Sequence, residues 1–175
     1  MIEIRQARLA DIPGLLRIIN AYAGQGIMLP RSEFEMAENI RDFIVATQEE
    51  KIAGCGALHF YTSLAGEVRS LAVEPVQKER GIGRMVVEAL EAEARIHGLY
   101  SMFAFTYVPG FFRKLGFEEV DRGELPLKAW KDCLRCPKFQ ACDEIAMLKR
   151  LKAEAPPATL QIFAPEFTAF PLIQK

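Results

Sequence analysis

The stretch from Gly66 to Glu93, GEVRSLAVEPVQKERGIGRMVVEALEAE, leaves this chain few ways to fold. An apolar-rich run from Val68 to Val73 is bounded by Gly66 and Pro75, and a charged turn with two glycines then opens into a helical pattern. The spacing predicts strand, turn and helix. In the turn, Lys78, Glu79, Arg80, Gly81, Ile82, Gly83 and Arg84 bring bare backbone N–H groups and positive charge to a helix N-terminus, where the dipole favours an anion. A side chain at Gly81 or Gly83 would hold that backbone away from a pyrophosphate. A tight strand-to-helix turn can use the same glycines without any ligand, and the common nucleotide loops do not fit. Gly83 is followed by Arg84 and Met85 rather than Lys and Ser/Thr, and Val86 stands where a dinucleotide fingerprint has its last glycine.

The helix after the turn repeats Ile82, Met85, Val86, Ala89, Leu90, Glu93 and Ala94, and stops at His97-Gly98. A strand is predicted at Tyr100 to Thr106. Strand, crossover helix and strand make this pair parallel. Upstream, residues 2 to 8 alternate as a strand, and Asp11 with Pro13 opens a helix carrying Ile12, Leu15, Leu16, Ile18, Ile19 and Tyr22 on its apolar face. Ser32 and Glu35 read as a capping box for a short second helix, with Arg31 at its entrance as a surface charge or an anion clamp. Phe43 to Thr47 and Ile52 to Thr62 are strands joined by a turn at Glu49, Glu50 and Lys51, and with 68 to 73 they form an antiparallel meander. Downstream, Pro109 to Leu115 is a short helix ended by Gly116, Phe117 to Val120 begins a strand, residues 127 to 141 around Trp130 are partly helical, and Asp143 to Leu151 returns as the last strand.

With 175 residues and half of them apolar, the chain supports one domain with a core. The expected division is a domain over 1–152 and an extension over 153–175 that packs on its own or a neighbouring domain. A formal charge of −1 offers no broad basic face for nucleic acid. No signal segment or membrane-length apolar run is legible, so a cytoplasmic protein is expected, with thiols rather than disulfides. Cys133, Cys136 and Cys142 have the spacing of a zinc knuckle but lack a nearby histidine; reduced structural thiols come first, zinc second and a redox pair third. Cys55, between two glycines, is a small core residue, and His59 in the same strand is a packed residue or a minor catalytic candidate.

The turn resembles the acetyl-CoA site of the GNAT superfamily of N-acyltransferases. That pattern is Gln/Arg-x-x-Gly-x-Gly/Ala after a strand ending apolar-x-Val, and here Lys78-Glu-Arg-Gly81-Ile-Gly83 follows Leu71-Ala72-Val73, with Lys78 as a departure. FFRKLGF, Phe111 to Phe117, resembles the superfamily's later helix-and-strand motif. The resemblance implies a mixed, mostly antiparallel α/β (α+β) sheet with a central parallel pair and flanking helices. It also implies that the arm of the co-substrate acetyl-CoA lies between the parted strands, along Leu71, Ala72 and Val73. GIMLPRS, CGALHFY, GEVRSLAV, TYVPGFFRKLGF and LRCPKFQACDEIAM are similar to segments of the short single-domain N-acetylglutamate synthases, which implies an amino-acid N-acetyltransferase of arginine biosynthesis acting on L-glutamate. The tail after Lys152 departs from that pattern.

Such chemistry needs a base, because an α-amine is mostly protonated near neutral pH. Glu67 is the best-placed carboxylate, though a strand-end glutamate can equally face solvent; the resemblance favours the base. Backbone N–H groups near Ala72 or Val73 would meet the developing oxyanion. Many GNAT enzymes have a tyrosine acid where this chain has Phe112, so Tyr107 is the replacement in sequence. For a dicarboxylate acceptor, Arg69 and Arg31 are the candidate clamps, with Ser32 assisting. Strand alternation predicts Arg69 on the same face as Leu71 and Val73. An acceptor that is another amino acid or a protein amine, a non-catalytic acyl-CoA-binding module, and a homodimer all stay open at this point.

Overall fold

The computed structural model describes residues 1–125, 136–138 and 141–153. Its centre is a seven-stranded sheet ordered β1-β2-β3-β4-β5-β7-β6. The strands are β1 (Glu3–Gln6), β2 (Phe43–Gln48), β3 (Lys51–Phe60), β4 (Ala65–Val73), β5 (Ser101–Thr106), β6 (Glu118–Glu119) and β7 (Ile145–Arg150). Among the described residues only the β4–β5 pair is parallel. The helices are α1 (Ile12–Ala23), α2 (Glu33–Asn39), α3 (Ile82–Ile96) and α4 (Pro109–Arg113). This is the mixed sheet with a central parallel pair and flanking helices expected from the sequence.

The two sheet faces carry separate cores. α3 lays Ile82, Val86, Leu90 and Ala94 at a spacing of four residues onto one face, where they meet Ile44, Leu58, Val68 and Met102 and the partly buried Leu71 and Val73. α1 and α2 cover the other face, with Leu15, Ile18, Ile19 and Met36 against Phe43, Val45, Cys55, Ala57 and Ala72. Gly56 lies under α3, where an added Cβ would come within 2.9 Å of Val86. Cys55 is fully buried, and desolvation pushes its thiol up to about 12, so it is the small core residue the sequence suggests.

The β2–β3 hairpin turns on Glu49 and Glu50, both at positive φ, with Gln48 paired to Lys51. That is a two-residue turn whose twist suits the flanking strands, made here without glycine. α3 ends at Gly98, φ +74°, and the turn after α4 at Gly116, φ +82°. The last predicted strand is inserted between β5 and β6, pairing Ser101–Thr106 with Arg150–Ile145 on one side and Glu118–Glu119 on the other. Trp130, Cys133 and the tail from residue 154 lie outside the described residues, as do the helical expectation over most of 127–141 and the packing expected of the extension.

Candidate functional site

β4 and β5 pair only from Ala65↔Ser101 to Glu67↔Phe103, after which both strands continue without pairing to each other. Their unpaired edges border a slot from Val68 to Val73 on one side and from Ala104 to Thr106 on the other. Glu67 stands at the fork. It is 4% exposed, in a position where strand-end glutamates facing water are ordinarily open. On its other side Glu67 pairs with His59 of β3, so both side chains leave the sheet on one face.

Between Arg69 and Ala72 the β3–β4 register slips by one residue, from Ala57↔Arg69 to Cys55↔Ala72. Ser70 sits in the slip with φ +52°, and the Cys55 Sγ–H donates to its carbonyl at 3.6 Å. This is a β-bulge, with one extra residue on β4. It corrects the alternation expected of this strand. Arg69 shares the α1–α2 face with its partner Ala57 and with Glu67, whereas Leu71 and Val73 pack on the α3 face. The strand therefore presents charged side chains to one face before the bulge and apolar ones to the opposite face after it.

On the α1–α2 face, Arg69 donates to Tyr61 Oη at 3.4 Å and to Asn39 Oδ1, at the end of α2, at 3.5 Å. His59 Nδ1 lies 2.6 Å from Asp42 Oδ2, and its ring meets Tyr61 edge-on at 4.9 Å. At the other end of α2, the Arg31 N–H donates to Asn20 Oδ1 and the Asn20 amide donates back to the Arg31 carbonyl, each at 2.9 Å. Arg31 and Arg69 thus stand at opposite ends of α2, whose seven residues span about 10 Å. Ser32 forms the expected capping box, its Oγ accepting from the Glu35 N–H and donating to Glu35 Oε2.

The predicted anion cradle follows β4 as a single 3-10 turn, Pro75–Gln77, and then Gly81 as the N-cap of α3 at φ +78°. Gly81 has no side-chain oxygen to cap the helix, so the first-turn N–H groups at Ile82, Gly83 and Arg84 point outward. Glu79 also has positive φ, +65°. Arg80 is held by Gln77, and Arg84 pairs with Glu88 at 2.6 Å, while Lys78 Nζ lies 5.1 Å from the centre of the Tyr22 ring. Tyr22 in turn donates to the Val73 carbonyl at 2.7 Å, tying α1 to the end of β4. At Gly83 a Cβ would meet the Phe111 ring at 3.4 Å and Val73 at 3.6 Å, ordinary contact distances. Slot and cradle are continuous along the chain, and together they can take a molecule with an extended amide arm and a phosphate group.

Tyr107, just beyond β5, donates to Asp143 Oδ1 at 2.9 Å and accepts from Lys138 Nζ at 3.1 Å. Burial above all, with Asp143 adding to it, pushes its phenol above the usual range, so it stays protonated at neutral pH. Phe112, 3% exposed, is a core residue stacked edge-on with Phe111 and Phe117. Among the described residues no group of three His, Cys, Asp or Glu side chains could hold a metal; Cys136 and Cys142 are free thiols. No helix among them is long and apolar enough to cross a membrane. Sequence reading overlooked Asn20, Asn39, Asp42 and Tyr61. Only Tyr61 falls in one of the quoted segments, CGALHFY, and each acquires its contacts only by where the fold brings it.

Residues 39–119, which run from the end of α2 through β6, match the family model described as an acetyltransferase (GNAT) domain. An uncharacterised N-acetyltransferase of Chlorobaculum tepidum is 47% identical over 148 residues, covering 85% of this chain and 96% of that protein. The amino-acid acetyltransferase of Mycobacterium tuberculosis is 36% identical over 121 residues, covering 67% of this chain and 69% of its own. Among solved structures, N-acetylglutamate synthase of Neisseria gonorrhoeae, complexed with coenzyme A and N-acetyl-glutamate, superimposes with a TM-score of 0.79 at 28% identity. That likeness covers 87% of this chain and 35% of the Neisseria protein.

Proposed function

The chain belongs to the GNAT acetyltransferases, and from that premise we propose that it moves the acetyl group of acetyl-CoA onto the α-amine of L-glutamate. It is an acetyl-CoA-dependent N-acetyltransferase. The proposal concerns which residues act and on which amine. One observation carries it: β4 holds a buried carboxylate, Glu67, and a guanidinium, Arg69, on one face, and the bulge at Ser70 turns Leu71 and Val73 to the other, beside the slot bordered by the rest of that strand.

Acetyl-CoA supplies the activated acetyl thioester. The slot and cradle suit it, because the β4 edge beyond Glu67 has no β5 partner and the α3 N-terminus is uncapped by any side chain. Leu71, Ala72 and Val73 would pair with the amides of its arm, and Lys78, Glu79, Arg80, Gly81, Ile82, Gly83 and Arg84 would hold its phosphates, chiefly through backbone N–H groups. Glu67 takes a proton from the substrate ammonium, freeing the nitrogen lone pair, and a backbone N–H group at Ala72 or Val73 meets the charge that develops on the carbonyl oxygen. Tyr107 directs its proton at Asp143 in this geometry, so help to the weakly basic leaving thiolate is small. Arg69 and Arg31 each grip one carboxylate of the acceptor, Arg31 from the α2 entrance with Ser32 shaping that turn as its N-cap. The Neisseria synthase and the Mycobacterium amino-acid acetyltransferase support the amino-acid reading.

The test is thiol release from acetyl-CoA across the amino acids. Glutamate is expected to support the fastest release, with glutamine poor for lack of a charge and aspartate poor because its carboxylates lie too close together. Faster release with any other amine overturns the acceptor and leaves the acetyl-CoA site standing.

A further inference from the structure

Each turnover leaves a proton that the buried base has to lose. An ammonium enters with three N–H bonds, the product amide keeps one, the coenzyme thiol takes one, and the third goes to solvent. Glu67 collects it but is 4% exposed, walled by β3 on one side and by Phe103 on the other. A carboxyl group so enclosed must be emptied through a neighbour before the next amine can be deprotonated.

We propose that His59 and Asp42 are the proton exit for Glu67. This rests on the reading of Glu67 as the base. His59 is the cross-strand partner of Glu67, on the same face of the sheet, where side chains of directly opposed residues are neighbours. Its Nδ1 is fixed 2.6 Å from Asp42 Oδ2, and the side chains of His59 and Asp42 remain 21% and 27% exposed, so the pair connects the buried carboxylate to water. The Asp42 bond orients the ring and leaves Nε2 as its other proton-accepting position. In the transfer the Glu67 O–H bond breaks and an Nε2–H bond forms, directly or through one water. The resulting imidazolium is held by the Asp42 carboxylate and then gives one proton to solvent, restoring the neutral ring. The other groups around the ring are consistent with this traffic. Tyr61, from the end of β3, meets it edge-on, and Arg69 of β4 is bonded to Tyr61 Oη rather than placed between His59 and Asp42. Asp42 comes from the 3-10 turn that leads into β2, and on its other side its charge acts on Glu93 of α3. His59 acts through Glu67 and is therefore a positioning and relay residue rather than a catalytic one.

The experiment measures kcat for the full chain and for His59→Gln, Asp42→Asn and Glu67→Gln, in dilute buffer and with added imidazole. His59→Gln is expected to lower kcat by roughly 10²-fold, the low end of what acid–base groups contribute, with KM for both substrates unchanged. Imidazole should restore much of the lost rate, because a small diffusible base can empty Glu67 in place of the side chain, and Asp42→Asn should show the same pattern more weakly. A purely structural role would not respond to buffer. If both His59→Gln and Asp42→Asn keep full kcat, or lose it without rescue, the exit is wrong while an inactive Glu67→Gln keeps the base. If Glu67→Gln itself keeps its rate, the base reading falls and the exit with it. Should His59→Gln fail to fold, Asp42→Asn decides by the same criterion of rescue.

Discussion

The two halves of β4 differ in what they offer a ligand. Before Ser70, Glu67 and Arg69 present side chains on the α1–α2 face, where His59, Tyr61, Asn39 and Asp42 come in from three other segments. After it, Leu71 to Val73 turn their side chains into cores and have only backbone to offer the slot, as do the glycines of the cradle. Backbone recognition is blind to side-chain identity except where bulk or strain intrudes. Side-chain recognition changes with a single substitution. On the proposed reading, one strand would keep a constant acyl donor while the acceptor varied.

Replacing the base breaks this division most strongly. Glu67→Gln preserves shape and should lower kcat by about 10² to 10⁴ with acetyl-CoA affinity unchanged, read by steady-state kinetics and calorimetry. The matching disruption of the backbone half is Gly83→Asp. The added Cβ fits at ordinary distances beside Phe111 and Val73, so the protein should fold. A carboxylate 4 Å from a phosphate charge costs about 4 kcal/mol at an effective dielectric near 20. Acetyl-CoA binding should weaken by at least roughly 10²-fold, and unchanged affinity in the folded variant would remove the cradle.

Arg69→Ala sharpens the contrast, since it should touch only the acceptor. The expected loss is about 1.5 to 3 kcal/mol, seen as a KM for glutamate raised roughly 10- to 150-fold with acetyl-CoA binding intact. The smallest effect tests the hinge itself. Ser70 adopts φ +52°, which a β-branched residue resists, so Ser70→Val should cost about 1 to 2 kcal/mol of stability in denaturant melts. Ser70→Gly relieves the same strain and should melt near the parent protein. Equal melts for valine and glycine would mean that the left-handed conformation at Ser70 is not what holds the bulge.

The turn before α3 was readable because its backbone geometry leaves a compositional trace. Gly81 adopts φ +78°, and that need is met by residue type within three positions of Lys78. The bulge left a fainter trace. Regular alternation over VRSLAV would put Arg69 with Leu71 and Val73 in the α3 core, and only an extra residue at polar Ser70 lets Val68, Leu71 and Val73 share that core. The three-residue gap between Val68 and Leu71 is the sign of it, visible once the cost of burying a guanidinium there is considered.

Local order was therefore settled along the chain: helices by their four-residue apolar spacing, the α2 entrance by its Ser32–Glu35 box, the parallel pair by the crossover through α3. These depend on neighbours a few residues apart, whose energetics the sequence carries directly. The acceptor face depends instead on pairs such as Arg69 with Asn39, separated by 30 positions, and His59 with Asp42, separated by 17. No propensity encodes those contacts. They exist because strand register, shifted by one residue at Ser70, decides which face each side chain leaves from, and register is a property of the assembled sheet.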